Sequence, residues 1–494
     1  MFGGLTRTSS RIAIAAAFGL TLGVYAMSTP AKAADLGGDC CADLEERVAE
    51  LEATTVRKGN KKVSVTISGW VVKTMNWYDS GFGNGFAVGD KDYDLGSRFA
   101  ITGSATIAPG WSAGYNMTIT APGSTFGVNS NSVNEYAGVN SRLGGTTYGT
   151  INTLYSYMYV KSDTYGTLNW GHLSPASDNP AVLADISGTV IESNSVLFEG
   201  GGLALRPSGA AGTVGAFNSF LLCSSAVAPG ADCFGAAEEA VRYDSPTFGG
   251  FRIEASYGTA NVVPAILDND SYLSNSGGGL LPHPNTSDSN FADIAAFYNG
   301  DWGNFKISAA YAYTWLEANP LNGGEQDYHQ VGATVMHVPS GLGVYATGNW
   351  EFTSGPNGSL CPGGACLVGG ANLPDTDSWG VKPFIKRTWN PLGATILYGE
   401  YYQYNDMFGL ANALGVGGAL PNCPSGVCNV VGSEVDRWGL GAVQEIDAAA
   451  MHLFARWQHL DGPDVTIVDT TTGTNFTQGF EDNDLFQVGG IIFF

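Results

Sequence analysis

The chain has 494 residues, with 45 acidic against 22 basic side chains and a net charge of −23 at pH 7. That balance excludes nucleic acid as a partner, because neutralising phosphates needs a basic face. Only 14% of residues are charged, 12% are aromatic and 69 are glycine; beyond residue 33 no long apolar run occurs, which excludes a helical membrane protein.

In chain order, residues 1–33 carry Arg7 and Arg11, an apolar stretch from Ile12 to Met27, and then Ala31-Lys32-Ala33. This is the order of a secretory signal peptide, with cleavage expected after Ala33. A membrane anchor is the alternative, but a span needs about 20 apolar residues, and this run is shorter and interrupted by Thr21 and glycines. Cleavage removes three basic side chains and takes the net charge from −23 to −26. A water-soluble chain of the remaining length is expected to split into domains, yet no linker or composition shift divides it.

Residues 34–60 contain one helical item. Asp43 suits an N-cap with Glu46 three residues on, and Leu44, Val48 and Leu51 follow at heptad spacing. Such a helix is too short to stand alone; three copies side by side would bury its Leu/Val seam, while a frayed amphipathic tail accounts for the pattern equally. Arg57, Lys58, Lys61 and Lys62 then form a basic cluster that reads as a solvated junction.

From residue 61 to the end the chain reads as period-two segments separated by turns and long polar connections. Phe99, Ile101, Ala105 and Ile107 share one face, with Arg98, Thr102, Ser104 and Thr106 on the other. Phe251, Ile253, Ala255 and Tyr257 oppose Arg252, Glu254 and Ser256; Phe305, Ile307, Ala309, Tyr311, Tyr313 and Trp315 oppose Lys306, Ser308 and Thr314. Alternation of this kind also describes a soluble sandwich. Aromatic residues near strand ends, as in Tyr311, Tyr313 and Trp315 or in Tyr398, Tyr401, Tyr402 and Tyr404, favour interfacial girdles and hence an all-β transmembrane antiparallel barrel. Closure removes the unpaired edges that hydrocarbon does not tolerate.

Six of the eight cysteines fall into close pairs: Cys223 with Cys233, Cys361 with Cys366, and Cys423 with Cys428. Each pair sits in Gly/Pro/Ser/Asn-rich sequence with no histidine beside it, so short disulfide-closed loops are expected in preference to metal sites. Cys40 and Cys41 are adjacent and their state stays open. Asp90, Asp92 and Asp94 alternate in the first long connection, but the turn glycine and closing Glu of a calcium loop are missing, and a solvated acidic loop is expected. No metal and no cofactor are expected anywhere.

Four motifs carry a family resemblance. Ser97-Arg98-Phe99 followed by Gly103-Ser104 resembles the second-strand motif of Gram-negative general porins, while the signal, coiled segment and first strand look most like porins of alphaproteobacteria. Tyr165-Gly166-Thr167-Leu168-Asn169-Trp170-Gly171-His172 is similar to their strand leading into the constriction loop, with His172 where Arg is usual. Val241-Arg242-Tyr243-Asp244-Ser245-Pro246-Thr247-Phe248-Gly249-Gly250-Phe251 is similar to the strand–turn–strand signature after that loop. The last strand ends in Phe494, with Phe486, Val488 and Ile492 on the same face, and resembles the signal read by the barrel-assembly machinery.

The resemblance implies a barrel of about 16 strands over residues 61–494, set in the bacterial outer membrane among lipid and lipopolysaccharide. It also implies a homotrimer with the short helical segment on its periplasmic side. A loop within residues 173–238 is expected to fold into the lumen, with Asp178, Asp185 and Glu192 facing a basic wall drawn from Arg98, Arg242, Arg252, Lys306 and His172. The function implied is passive diffusion of small hydrophilic solutes and ions. A channel selective for sugars, amino acids or phosphate is the alternative, and a structural or adhesive barrel or a barrel hydrolase is a lesser one. An enzyme is not expected: Gly-x-Ser-x-Gly, His-Glu-x-x-His and Gly-x-x-x-x-Gly-Lys are all missing, and nothing marks a nucleophile for His452 or His459 to activate.

Overall fold

The computed structural model describes residues 63–81, 83–91, 96–120, 152–193, 204–209, 215–216, 237–261, 288–319, 324–354, 375–406, 428–469 and 471–494. Sixteen long strands form the wall. They are β1 (Ser64–Asp79), β3 (Arg98–Ala108), β4 (Trp111–Thr120), β5 (Asn152–Ser162), β6 (Gly166–Leu173), β9 (Glu238–Asp244), β10 (Phe251–Asn261) and β11 (Asp288–Trp302), followed by β12 (Phe305–Asn319), β13 (Gly324–His337), β14 (Leu342–Ser354), β15 (Thr376–Asn390), β16 (Gly393–Asn405), β17 (Cys428–Ile446), β18 (Met451–Leu460) and β21 (Asn483–Phe493). Short pieces lie in the connections: β2 (Asn84–Gly89), β7 (Ala204–Leu205), β8 (Gly215–Ala216), β19 (Asp464–Asp469), β20 (Asn475–Gln478) and a single helical turn α1 (Pro180–Leu183).

Each wall strand pairs antiparallel with the next, and β21 pairs with β1 from Trp70↔Phe493 to Asp79↔Asp484, so the sheet is a closed ring. The two ends of the ring are tied by Gly69 and Phe494, whose N–H groups donate to each other's carbonyls at 2.8 and 3.0 Å. At the end bearing Phe494 the links are short, such as 303–304 and 391–392; at the other they are long, such as 174–237 and 461–482. Short inner-side turns and long outer-side loops are the usual asymmetry of such barrels.

The three alternating segments lie on β3, β10 and β12 with the expected faces. Phe251, Ile253, Tyr257, Phe305 and Tyr311 are exposed on the outside, while Arg98, Glu254, Ser256, Ser308 and Thr314 are buried on the inside. The outer face is ringed twice by aromatics. Near the short turns Phe251 meets Tyr298 at 4.6 Å between centroids and Phe305 meets His337 at 5.0 Å. Near the long connections Trp77 meets Phe86 and Phe486 at 4.9 and 5.7 Å, and Trp438 meets Trp457 at 5.2 Å. Two such belts around an apolar band match the two interfaces of a bilayer.

One expected girdle is overturned. In β16 only Tyr401 points outward; Tyr398, Tyr402 and Tyr404 are buried on the inner face. The physical reason is parity: side chains alternate along a strand, so 398, 402 and 404 share the face of Glu400. The helical segment 34–60, the signal region 1–33 and Cys40, Cys41, Cys223, Cys233, Cys361, Cys366 and Cys423 lie outside the described residues, as do Asp92 and Asp94. Cys428 opens β17.

Candidate functional site

The inner face is polar, and one connection lies upon it. After Leu173 ends β6, residues 174–193 leave the wall and run along the inner surface toward β18. A chain crossing strands this way carries its own backbone donors and acceptors, which must be satisfied where water is excluded. Inward side chains supply the partners in sequence. Ser256 on β10 accepts the Ala176 N–H at 2.9 Å, and Asp293 on β11 accepts the Ser177 N–H at 2.9 Å and its hydroxyl at 2.7 Å. Gln330 on β13 accepts the Ala181 N–H at 3.1 Å and donates to the Ser177 carbonyl at 2.6 Å. Tyr345 on β14 donates to the Ala181 carbonyl at 2.9 Å, and Thr334 on β13 to the Ala184 carbonyl at 2.7 Å.

Local chemistry shapes the segment to fit. Asn179 takes a left-handed conformation (φ 60°), which Asn tolerates better than most residues, and Pro180 follows at the first helical position, where its missing N–H costs nothing. Gly332 on β13 lies directly under α1: a β-carbon there would overlap the Ala181 carbonyl.

Farther along, charges take over. Lys382 on β15 bonds Asp185 at 2.6 Å and donates to the Ser193 carbonyl at 2.7 Å, with both charged side chains almost fully buried. Its ammonium also lies 5.6 Å from the ring centres of Tyr345 and Tyr398, where ring faces favour a cation. Glu192 reaches His452 on β18 at 3.1 Å. Ser193 donates to Glu400 on β16, which pairs with Arg437 on β17 at 3.6 Å, and Arg437 stacks 4.3 Å over Tyr402. Lys386 pairs with Glu445 at 2.7 Å beside Gly188.

The expected acids of this connection are therefore placed differently from the sequence-based expectation. Asp178 takes the Ser174 hydroxyl and the Asn179 amide, Asp185 takes Lys382, and Glu192 takes His452. All three are buried: Asp185 and Glu192 clip the segment to the wall beneath it, while Asp178 braces the segment internally, and Asp185 and Glu192 bond directly to bases of that same wall. The expected basic residues divide. Arg98, Arg242 and Arg252 point inward. Arg98 lies 4.6 Å over Trp70, Arg242 pairs with Asp244 at 2.8 Å and donates to the Ser174 carbonyl, and Arg252 pairs with Glu254 at 2.9 Å over Phe297. Lys306 is on the inner face but exposed beside the 303–304 turn, far along β12 from the connection. His172 is on the outer face with Leu168 and Trp170 and meets Glu239 at 3.5 Å; its parity, not its type, removes it from the lumen.

Sequence reasoning missed Asp293, Gln330, Lys382, Arg437, Glu400 and His452. Each alternates correctly for an inward position; what was invisible is which strands the connection would cross. Opposite the segment, the wall is mostly neutral. Arg456 donates to Gln487 at 3.0 Å, Gln487 to Asn76 at 2.7 Å and Asn76 to Thr74 at 3.0 Å, and Asn116 donates to Tyr157 at 3.3 Å. A polar face enclosed by a lipid-facing barrel is a water path.

Residues 19–464 match the family model of the Gram-negative porins. The chain belongs to that family. Among solved structures the porin is similar to OprB of Pseudomonas putida, with 10% identity, a TM-score of 0.52, and 92% of this chain and 97% of that one covered. It is also similar to the anion-selective porin of Comamonas acidovorans, with 15% identity and a TM-score of 0.49 over 87% and 100%. The outer-membrane channel DcaP of Acinetobacter baumannii shares 11% identity and a TM-score of 0.43 over 88% and 99%. No curated protein matches the chain. The fold and family place the porin in the bacterial outer membrane as a channel-forming barrel; the family is one of channels, not enzymes.

Proposed function

We propose that the porin is a passive, water-filled diffusion channel for small hydrophilic solutes and ions, working as a homotrimer, with no catalytic step. The observation that carries this reading is the clipping of residues 174–193 to the wall of β10 to β18. A connection held flat by Ser256, Asp293, Gln330, Lys382 and His452 narrows the lumen while leaving a path along the neutral wall opposite. Arg98 and Arg456 are the cations beside that path, Arg242 and Arg252 lie where the segment leaves the wall, and Asp178, Asp185 and Glu192 act on the path indirectly, by fixing the segment. The heptad-spaced Leu44, Val48 and Leu51 favour a three-stranded contact on the periplasmic side after removal of residues 1–33.

Selection then follows from size and field. Low-dielectric walls concentrate the field of lumen charges where the path is narrow, so dipolar solutes are oriented and apolar ones impeded without a binding site. The net charge of −26 left when the three basic residues of 1–33 are removed from a chain of −23, with Glu481, Asp482 and Asp484 at the outer rim, gathers cations at the mouth. The test is the conductance of purified protein in a planar bilayer. Stepped openings in threes with a modest cation preference are expected, the preference fading as salt shortens screening to about 3 Å at 1 M. A silent bilayer contradicts the reading, and block by one solute class at low concentration would favour a selective channel instead.

A further inference from the structure

At the outer rim of the barrel, on the outward face, the ends of β18 and β21 bring an imidazole and carboxylates together. His459 Nδ1 lies 3.0 Å from Asp484 Oδ1, which also accepts the indole N–H of Trp457 at 3.0 Å. A carboxylate cannot donate, so the Nδ1 position carries the hydrogen. In the neutral ring that leaves Nε2 as a lone pair. Yet Nε2 lies 2.9 Å from Asp461 Oδ1 and 4.0 Å from Asp482 Oδ2. Three electron-rich atoms converging on one point are stable only around a positive centre.

Two of the three ligand side chains are set by a bond elsewhere. The Gly462 N–H holds Asp482 Oδ1 at 3.0 Å, turning Oδ2 toward the imidazole. Asp484 fixes the His459 tautomer from behind, the carboxylate–histidine relation by which metal-bound imidazoles are oriented. The ligand atoms lie within 4.8 Å of one another, and the separations of 2.9 and 4.0 Å bracket the roughly 3.4 Å between neighbouring ligands of a tetrahedral ion with bonds of about 2.1 Å, so small side-chain rotations would complete the site. Asp79, opposite Asp484 in the β1–β21 register, adds negative charge beside the cluster. His459 is largely buried while Asp461 and Asp482 are exposed, so the point of convergence opens to solvent.

We propose that His459, Asp461 and Asp482 form a site for a borderline divalent ion of the Zn²⁺ type, with Asp484 as the positioning residue. One nitrogen and two carboxylate oxygens suit such an ion better than the all-oxygen shell of Ca²⁺ or Mg²⁺. Asp461 and Asp482 stand at the two feet of the 461–482 connection, so the ion would staple that loop to the barrel rim. A proton on Nε2 is the competing occupant.

The experiment is equilibrium dialysis of the chelator-stripped, full-length porin in detergent against Zn²⁺ at pH 7.5, with bound metal counted by mass spectrometry. The same measurement is made on His459→Ala and on Asp461→Asn/Asp482→Asn, each first shown to be a closed barrel by heat-modifiable migration. The expected result is one Zn²⁺ per chain fewer in both variants than in the unaltered protein. Equal counts in all three, no Zn²⁺ bound by the unaltered porin, or binding of Ca²⁺ in preference to Zn²⁺ would each overturn the assignment.

Discussion

The inner surface of the barrel is two walls of different character. From β10 to β18 it is crossed by residues 174–193, and its charges close on one another: Lys382 with Asp185, Arg437 with Glu400, Lys386 with Glu445, His452 with Glu192. From β21 round to β6 it carries Gln487, Asn76, Thr74, Asn116, Tyr157 and Asn169, with Arg98 set among them and Arg456 on β18 and Arg242 on β9 at its two borders. Both walls come from the same period-two pattern. The difference teaches that a lumen charge is not by itself a selectivity determinant, because on the first wall charges are spent on holding a segment in place.

The largest effect should follow from breaking the first wall. Lys382→Met leaves Asp185 buried without its cation, a change that costs about 3–5 kcal/mol when the site cannot relax. Here the segment can lift off, so the loss should appear as frequent channel closures and raised proteolysis within 174–193, with the barrel itself intact by heat-modifiable migration. Steady, wild-type openings would place the segment's anchorage elsewhere.

A charge on the outer face comes next. Leu440→Arg on β17, where Leu440 is 59% exposed, should destabilise the barrel by about 2–4 kcal/mol if it lies near the bilayer midplane, measurable as a shift in urea unfolding from lipid vesicles. An unchanged midpoint would mean this face meets water or protein. Smaller is Gly332→Ala, which forces a methyl against the Ala181 carbonyl. Overpacking of that kind costs about 1–3 kcal/mol, and the expected readout is a lower single-channel conductance as α1 is pushed into the lumen.

The second wall should respond in selectivity and hardly in stability. Arg98→Ala should raise cation preference and widen the path, read as the reversal potential under a salt gradient together with the conductance. If both stay unchanged, Arg98 is not on the solute path. Asp178→Asn/Asp185→Asn should act differently, through altered gating, because those carboxylates are spent on Ser174, Asn179 and Lys382.

Much of the barrel was legible in the sequence because a strand's two faces follow from parity alone. The faces of β3, β10, β12 and β21 needed nothing else, while the span of the connection between β6 and β9 came from the family resemblance of the strands that flank it. The partners of that connection were not legible. Asp185 meets Lys382 across 197 residues of sequence, and the pairing depends on how far the segment runs round the wall, a property of the closed ring. Two errors came from ranking residue type above parity. Tyr398, Tyr402 and Tyr404 were assigned to a girdle because they are aromatic, and His172 to the lumen because it stands where Arg is usual.

The central claim is that residues 174–193 rest on the β10–β18 wall while the channel conducts. The most direct measurement is the conductance of Ala176→Cys/Ser256→Cys, residues joined by a 2.9 Å hydrogen bond, before and after oxidation, with the cross-link verified by mass spectrometry. The cross-link should form readily and leave single-channel conductance unaltered, because it fixes the segment where it already lies. A cross-linked channel whose conductance differs sharply from the reduced one would show that the conducting state holds the segment elsewhere.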